Sequence, residues 1–199
     1  MRYYVWRKRY KALTKSSKVT RIFIAIIVLL SILVLAITDE PGLYGLWFPA
    51  SIALPLILIE LLSFPMLRHE GSIISFEDNA VTSTFRKKVR KIIPCNEIID
   101  YGVSFASTIY HGVVLLIYIS RVDLSEVNKL SAVKRGRAIY KLHMKTNNVI
   151  VVQYNDDIID WLKTHVSNFD MNKITSGLPS WWPPTTPAGK EAAYGTRLS

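Results

Sequence analysis

Glu60 is the residue whose type and position most invite a chemical reading. It lies inside residues 43–62, a run that is otherwise apolar or small apart from Ser51 and the two tyrosine and tryptophan rings near its start. An ionisable group within a membrane-length apolar run is a functional-site hypothesis by default. It also stands near the end of the run, ahead of Pro65 and Arg68, where a carboxylate can reach water or the guanidinium. An interfacial role is the competing reading. A second feature is the cluster Arg86, Lys87, Lys88, Arg90 and Lys91. Cations so close together suit anionic phospholipid headgroups, at about 1 kcal/mol for each one near the surface. A solvated hairpin loop would carry the same residues. Lys134, Arg135 and Arg137 would extend the cluster if the two stretches share a face.

Other chemistry finds little to build on. His69, His111, His143 and His165 have no H-x-x-x-H or H-E-x-x-H spacing for a metal. No G-x-S-x-G elbow and no glycine-rich phosphate loop occurs. Cys95 is the single cysteine, which excludes an intrachain disulfide and a cysteine-based zinc cluster. It would need a lowered pKa to act as a nucleophile, and a cysteine at a strand edge more often packs. Asp156, Asp157 and Asp160 could hold a hard cation, but capping of a helix accounts for the first two. The expectation is a protein with no catalytic residues, no cofactor and no metal. A stand-alone membrane enzyme would need a polar pocket of convergent titratable groups.

The elements that position these residues fall into two populations. Residues 19–38 and 43–62 are two apolar runs separated by Asp39, Glu40, Pro41 and Gly42. Each is close to the roughly 20 residues a helix needs to cross about 30 Å of hydrocarbon. The first shows no polar stripe at helical spacing and has no signal-peptide cleavage pattern. The second contains Pro49 and Pro55, with Pro65 just beyond, and carries Tyr44 and Trp47 at its entry, where amphipathic rings favour the interface. A four-residue connector predicts an antiparallel helical hairpin. Arg2, Arg7, Lys8, Arg9, Lys11, Lys15, Lys18 and Arg21 precede the first span, the connector carries only acids, and Arg68 follows the second span. The positive-inside rule then places both termini in the cytoplasm. The net charge of +10 also invites a nucleic-acid reading. Cations interleaved with Tyr3, Tyr4, Trp6 and Tyr10 beside a span read more simply as an interfacial anchor on anionic lipid, so no nucleic acid is expected.

Beyond Arg68 the pattern alternates. Residues 72–77 and 81–85 predict two strands around the turn pair Asp78-Asn79. Residues 98–105 and 113–120 predict two more, the second too short for a third span. Residues 121–137 fit either a short amphipathic helix or a loop insertion. Residues 138–146 alternate Ile139, Lys141, His143 and Lys145 against Tyr140, Leu142 and Met144, which predicts a strand closing a hairpin with 149–154 through Asn147-Asn148. Asn155 caps a helix from Asp156 to about Phe169, with Ile158, Trp161, Leu162, His165, Val166 and Phe169 as its core stripe. The proline-rich residues after about Lys173 predict a flexible tail.

This order resembles the pleckstrin-homology-like (PH-like) domains of bacterial two-span membrane proteins. The resemblance rests on Ile74-Ser75-Phe76-Glu77-Asp78-Asn79-Ala80-Val81, on Ile93-Pro94-Cys95-Asn96-Glu97-Ile98, and on Val151-Val152 followed by Asn155-Asp156-Asp157 and Trp161-Leu162. It covers about residues 70–169. It implies a membrane α-helical hairpin plus an α+β soluble domain, a PH-like antiparallel β-barrel or sandwich capped by a C-terminal helix. The expected organisation is a basic cytoplasmic segment (1–18), the hairpin (19–67), the PH-like domain (70–172) and the tail (173–199). The family implies a binding or scaffolding module with no shared catalytic residues. The expected partners are the anionic inner leaflet and an unidentified protein, with homo-oligomers left open. The alternative is an accessory subunit of a membrane transporter or membrane enzyme, acting through the hairpin.

Overall fold

The structure is a computed structural model, and it describes residues 1–5, 7–37, 43–108, 112–179 and 182–183. The connector read at 39–42 and the residue His111 lie outside the described residues, as do the side chains of Tyr44 and Trp47. The chain divides into two units: residues 8–68, and residues 1–7 together with 69–199.

The first unit holds two helices, α1 (Arg7–Ile37) and α2 (Leu43–Glu70). Both are long and apolar enough to cross a membrane, over Tyr10–Leu33 and Ala50–Glu70. Their apolar side chains face outward: Leu29 is 69% exposed and Leu62 is 67% exposed. Three of the hydroxyls within them are turned back onto their own helix. Thr14 Oγ1 donates to the Tyr10 carbonyl, Ser31 Oγ to that of Ile27 and Ser63 Oγ to that of Glu60. A polar side chain satisfied in this way leaves no bare donor for hydrocarbon to meet. The helix α2 continues through Pro49, Pro55 and Pro65.

The second unit contains two antiparallel sheets. The first has the order β1 (Arg2–Tyr4), β2 (Ile73–Phe76), β3 (Ala80–Phe85) and β4 (Lys88–Pro94). The second has the order β5 (Asp100–Thr108), β6 (Gly112–Ser120) and β7 (Val149–Gln153). Among the described residues neither sheet closes on itself. A 3-10 turn, Cys95–Glu97, joins the two sheets. Alternation decides the faces, since strand side chains point to opposite sides. Ile74, Phe76, Val81, Phe85 and Ile93 are buried, while Ile73, Ser75, Thr82 and Thr84 are not. The central strand β6 is buried from Val114 to Ser120, which is why it reads as a continuous apolar run. The helix α5 (Asp156–His165) adds Ile158, Ile159, Trp161 and Leu162 to the core, and Asn155 caps it by accepting from Asp157 N at 3.0 Å.

Four sequence expectations are corrected. Residues 1–5 are not a free basic anchor: β1 pairs with β2, and Tyr3 is fully buried with its hydroxyl 2.9 Å from Asp157 Oδ2. Residues 138–146 are not a strand but most of helix α4 (Ala132–Lys145), which follows the short helix α3 (Ser125–Asn128). Gly136, Ile139 and His143 recur at helical spacing and form its buried face, and β7 pairs with β6 instead. The C-terminal helix α5 stops at His165, and Phe169 instead stacks on Tyr101 with ring centroids 5.5 Å apart. The tail does not begin at 173, because helix α6 (Met171–Thr175) packs along β5 and Trp182 meets Tyr154 edge-on at 4.8 Å.

At Gly136 the backbone of α4 packs directly on β5. A Cβ there would overlap the Phe105 carbonyl oxygen, so the helix must move for any larger residue. Gly136→Ala is expected to cost about 1–3 kcal/mol, the usual penalty of overpacking. Chemical denaturation of the full chain in detergent measures it; an unchanged midpoint would show that α4 does not pack on β5 in this way.

Candidate functional site

The cation cluster sits at the β3–β4 turn. Arg86 and Lys87 both have positive φ, 49° and 65°. That is the conformation of a two-residue hairpin loop which twists with its strands, and asparagine and glycine are favoured there. Side chains with a Cβ adopt it at a cost of roughly 1–2 kcal/mol per residue. Two cations therefore occupy positions where local stability would select other residues. Lys88 and Arg90 are exposed beside them, with Val89 and Ile92 also exposed, and the Arg86 guanidinium carbon lies 5.4 Å over the Phe85 ring.

Lys91 does not belong to this surface. Ser83 pairs with Lys91 but Thr84 pairs with Val89, so Arg90 is an extra residue, a β-bulge. The bulge leaves Lys91 on the core face. It is buried, and its Nζ donates to the carbonyl oxygens of His143 and of Val149, the latter at 3.0 Å. The anionic-lipid contact expected of Lys91 is corrected on that ground; Arg86, Lys87, Lys88 and Arg90 remain at the surface.

The strand register places this turn in the chain. Tyr4, Ile73, Thr84 and Val89 form one row across the first sheet. At that end β1 hands the chain to α1, α2 delivers it to β2, and β3 turns into β4. The cationic turn thus lies at the end of the sheet where the chain passes to and from the apolar helices. Glu77 and Asp78, in the β2–β3 turn, lie at the other end.

Beneath the turn is a buried polar group that sequence reading missed. His143 on α4 is buried; its Nδ1 accepts from Val151 N–H at 3.2 Å and lies 3.4 Å from Lys91 Nζ. An Nδ1 that accepts leaves the proton on Nε2, which has no hydrogen-bond partner among the described residues. Burial first, then the Lys91 and His69 charges, hold His143 well below the ordinary histidine range. Its ring meets that of His69 at 5.6 Å, and Tyr140 OH donates to Glu70 Oε1 at 2.8 Å. His69 and Glu70 thus belong to the same cluster as Tyr140 and His143. The helical spacing of Gly136, Ile139 and His143 was the signal that could have found it.

Glu60 is held within the first unit. Its Oε1 accepts from Ser17 Oγ at 2.6 Å and from Arg21 Nε at 2.7 Å. Arg21 is the last cation before the uninterrupted apolar run of α1. The carboxylate therefore ties the beginning of α1 to the later part of α2.

The remaining polar sites have structural partners. Cys95 Sγ lies 3.5 Å from the Asp78 carbonyl oxygen, and burial pushes its thiol up, opposite to the shift an activated nucleophile needs. His165 stacks on Trp161 at 4.6 Å. Asp100 is buried and accepts from Tyr101 N, Leu124 N, Asn128 Nδ2 and Lys173 Nζ. It fixes the loop after β6 beside a cleft of about 450 Å3. Tyr118, on the cleft wall, is pushed up to about 12, first by burial and then by the Asp100 charge. Among the described residues no three His, Cys, Asp or Glu side chains converge as a metal site would require.

No family model, curated protein or solved structure matches this chain. Its function must be argued from its own geometry.

Two predictions follow from that geometry. Replacing Arg86-Lys87 with Asn-Gly is expected to raise unfolding stability by about 1 kcal/mol through relief of the positive φ angles. A loss of stability would mean that the two side chains support the fold. Protonation of His143 gives the second. Its folded-state pKa lies below the unfolded value of about 6.5, so the unfolded chain takes up a proton that the folded chain refuses. The contribution is complete above that value and is lost as pH falls, by up to about 1.4 kcal/mol per unit. Thermal midpoints of the full chain in detergent should drop as the pH falls below about 6.5. His143→Gln should flatten that segment of the profile, and an equally steep profile in the variant would assign the effect elsewhere.

Proposed function

We propose that this chain is a membrane-anchored binding protein whose cytoplasmic PH-like domain recruits a protein partner at the inner membrane surface. The observation that carries the reading is the shared end of the first sheet. There the chain passes to and from two membrane-length helices, and there the turn presents Arg86, Lys87, Lys88 and Arg90. Each cation held near an anionic leaflet contributes about 1 kcal/mol, enough in sum to keep a tethered domain against the lipid. The tether supplies proximity, and the cations supply orientation.

The cytoplasmic location of both termini rests on charge. Eight Lys or Arg residues precede the uninterrupted apolar run of α1, and none occurs from Ile22 to Leu67. That asymmetry sets orientation by the positive-inside rule. The PH-like architecture is supported by four strands, then three, then a helix whose apolar face enters the core. In this reading β1 supplies the first strand from ahead of the hairpin, and α3 and α4 form an insertion between β6 and β7.

The second reading, an accessory subunit acting through the hairpin, is favoured by the apolar side chains that α1 and α2 expose. Against it, Glu60 is occupied by Ser17 and Arg21. A hairpin exchange separates the two. Residues 22–37 and 43–59 are replaced by unrelated apolar helices of equal length, and proteins cross-linked to the chain in cells are compared with those of the natural chain. The partner is expected to be retained. Loss of the partner on exchange, with retention when the domain surface is altered instead, would favour the accessory-subunit reading.

A further inference from the structure

Helix α4 carries cations and no acid. Its sequence, AVKRGRAIYKLHMK, includes Lys134, Arg135, Arg137, Lys141 and Lys145. Residues spaced by three or four lie on one helical face. Lys134, Arg137, Lys141 and Lys145 have that spacing, and all four are exposed. They run about 16 Å along the helix at 1.5 Å per residue. The buried face of Gly136, Ile139 and His143 lies on the opposite side.

None of these four cations has an ion-pair or hydrogen-bond partner among the described residues. Four other cations on the domain are paired with acids: Lys129 with Glu126 at 2.5 Å, Lys163 with Asp160 at 2.9 Å, Lys173 with Asp100 at 3.3 Å, and Arg121 with Glu97. The contrast marks the α4 stripe as a surface whose counter-charge comes from outside the domain.

Two contacts locate the stripe. Tyr140, on the same helix, donates to Glu70, the last residue of α2. His143 accepts at its carbonyl from Lys91, the neighbour in sequence of Arg90 in the cationic turn. On the α2 leg the apolar sequence continues to Leu67, so only Arg68 and His69 separate it from the buried Glu70.

We infer that the exposed face of α4, through Lys134, Arg137, Lys141 and Lys145, is a docking surface for the anionic phospholipid leaflet in which the chain is anchored. The inference rests on the membrane-tethered reading and deepens it. The stripe and the β3–β4 turn stand on elements that the Lys91–His143 and Tyr140–Glu70 contacts connect to the same part of the chain. A free acidic protein or a nucleic acid would match the charge, but neither would account for its position beside the end of α2.

Amine-reactive footprinting of the full chain in nanodiscs tests this, using discs of neutral phosphatidylcholine and discs containing phosphatidylglycerol. Lys134, Lys141 and Lys145 are expected to react several-fold more slowly in the anionic discs, while the paired Lys129 and Lys163 change little. Salt of about 1 M, where the screening length is about 3 Å, should restore their reactivity. Replacing all four stripe cations with glutamine should also raise the reactivity of Lys87 and Lys88 in the anionic discs. If that variant is misfolded, the salt comparison on the natural chain decides.

Equal reactivity in both discs overturns the proposal. Protection that appears only when a single-stranded oligonucleotide or polyglutamate is added also overturns it, and gives the face to that polymer. The discs contain no protein partner, so failure here rejects lipid docking by α4 and leaves partner recruitment to the hairpin exchange.

Discussion

The pairing of β1 with β2 joins residues on either side of both apolar helices. Arg2, Tyr3 and Tyr4 lie opposite Ser75, Ile74 and Ile73, and Val5 N donates to the Ser72 carbonyl at 3.2 Å. The ladder brings the residue stretches on either side of the apolar helices together within one sheet. The entropy of closing so long an excursion grows only slowly with its length. Tyr3 then contributes its buried ring and its bond to Asp157 on α5. The first sheet and the core of the domain are thus completed by residues from ahead of the membrane helices.

A polar cluster is tolerated under the cationic turn because its members satisfy one another. A buried lysine or histidine is costly unless its polar atoms are satisfied. Lys91 meets two carbonyl oxygens on the α4–β7 connection, and His143 stays neutral and accepts from Val151. Glu70 and His69 bring the end of α2 to the same cluster. An apolar core would pack there at lower electrostatic cost, but directional bonds such as that from Tyr140 to Glu70 fix the register of the residues that make them.

How much of this could be read in the sequence depended on the range of the interactions. The helices α1 and α2 are legible because length and apolarity are local properties. So are β2, β3 and β6, and so is the Asn155 cap. Strand β1 was hidden because three residues among cations carry no period; only the edge of β2 makes them a strand. Helix α4 was misread because residues 138–146 alternate as a strand would, while its helical face becomes visible only when Gly136 is included. Lys91 was placed with its charged neighbours because a bulge leaves no mark in composition. The group around Asp100 was invisible, since Leu124, Asn128 and Lys173 are distant from it in sequence.

The cationic turn shows where stability and placement of charge conflict. β4 is the outer strand of its sheet, and exposed edges are commonly guarded by lysines and bulges against pairing with other chains. Arg90 in the bulge and Lys88 beside it meet that need without strain. Arg86 and Lys87 exceed it, because a two-residue loop of Asn and Gly would close the same hairpin with less backbone cost. Edge protection therefore accounts for the charges on the strand but not for those at the tip. The tip charges stand at the end of the sheet where the chain passes to and from both membrane-length helices. Position, rather than charge alone, separates a guarded edge from a binding surface.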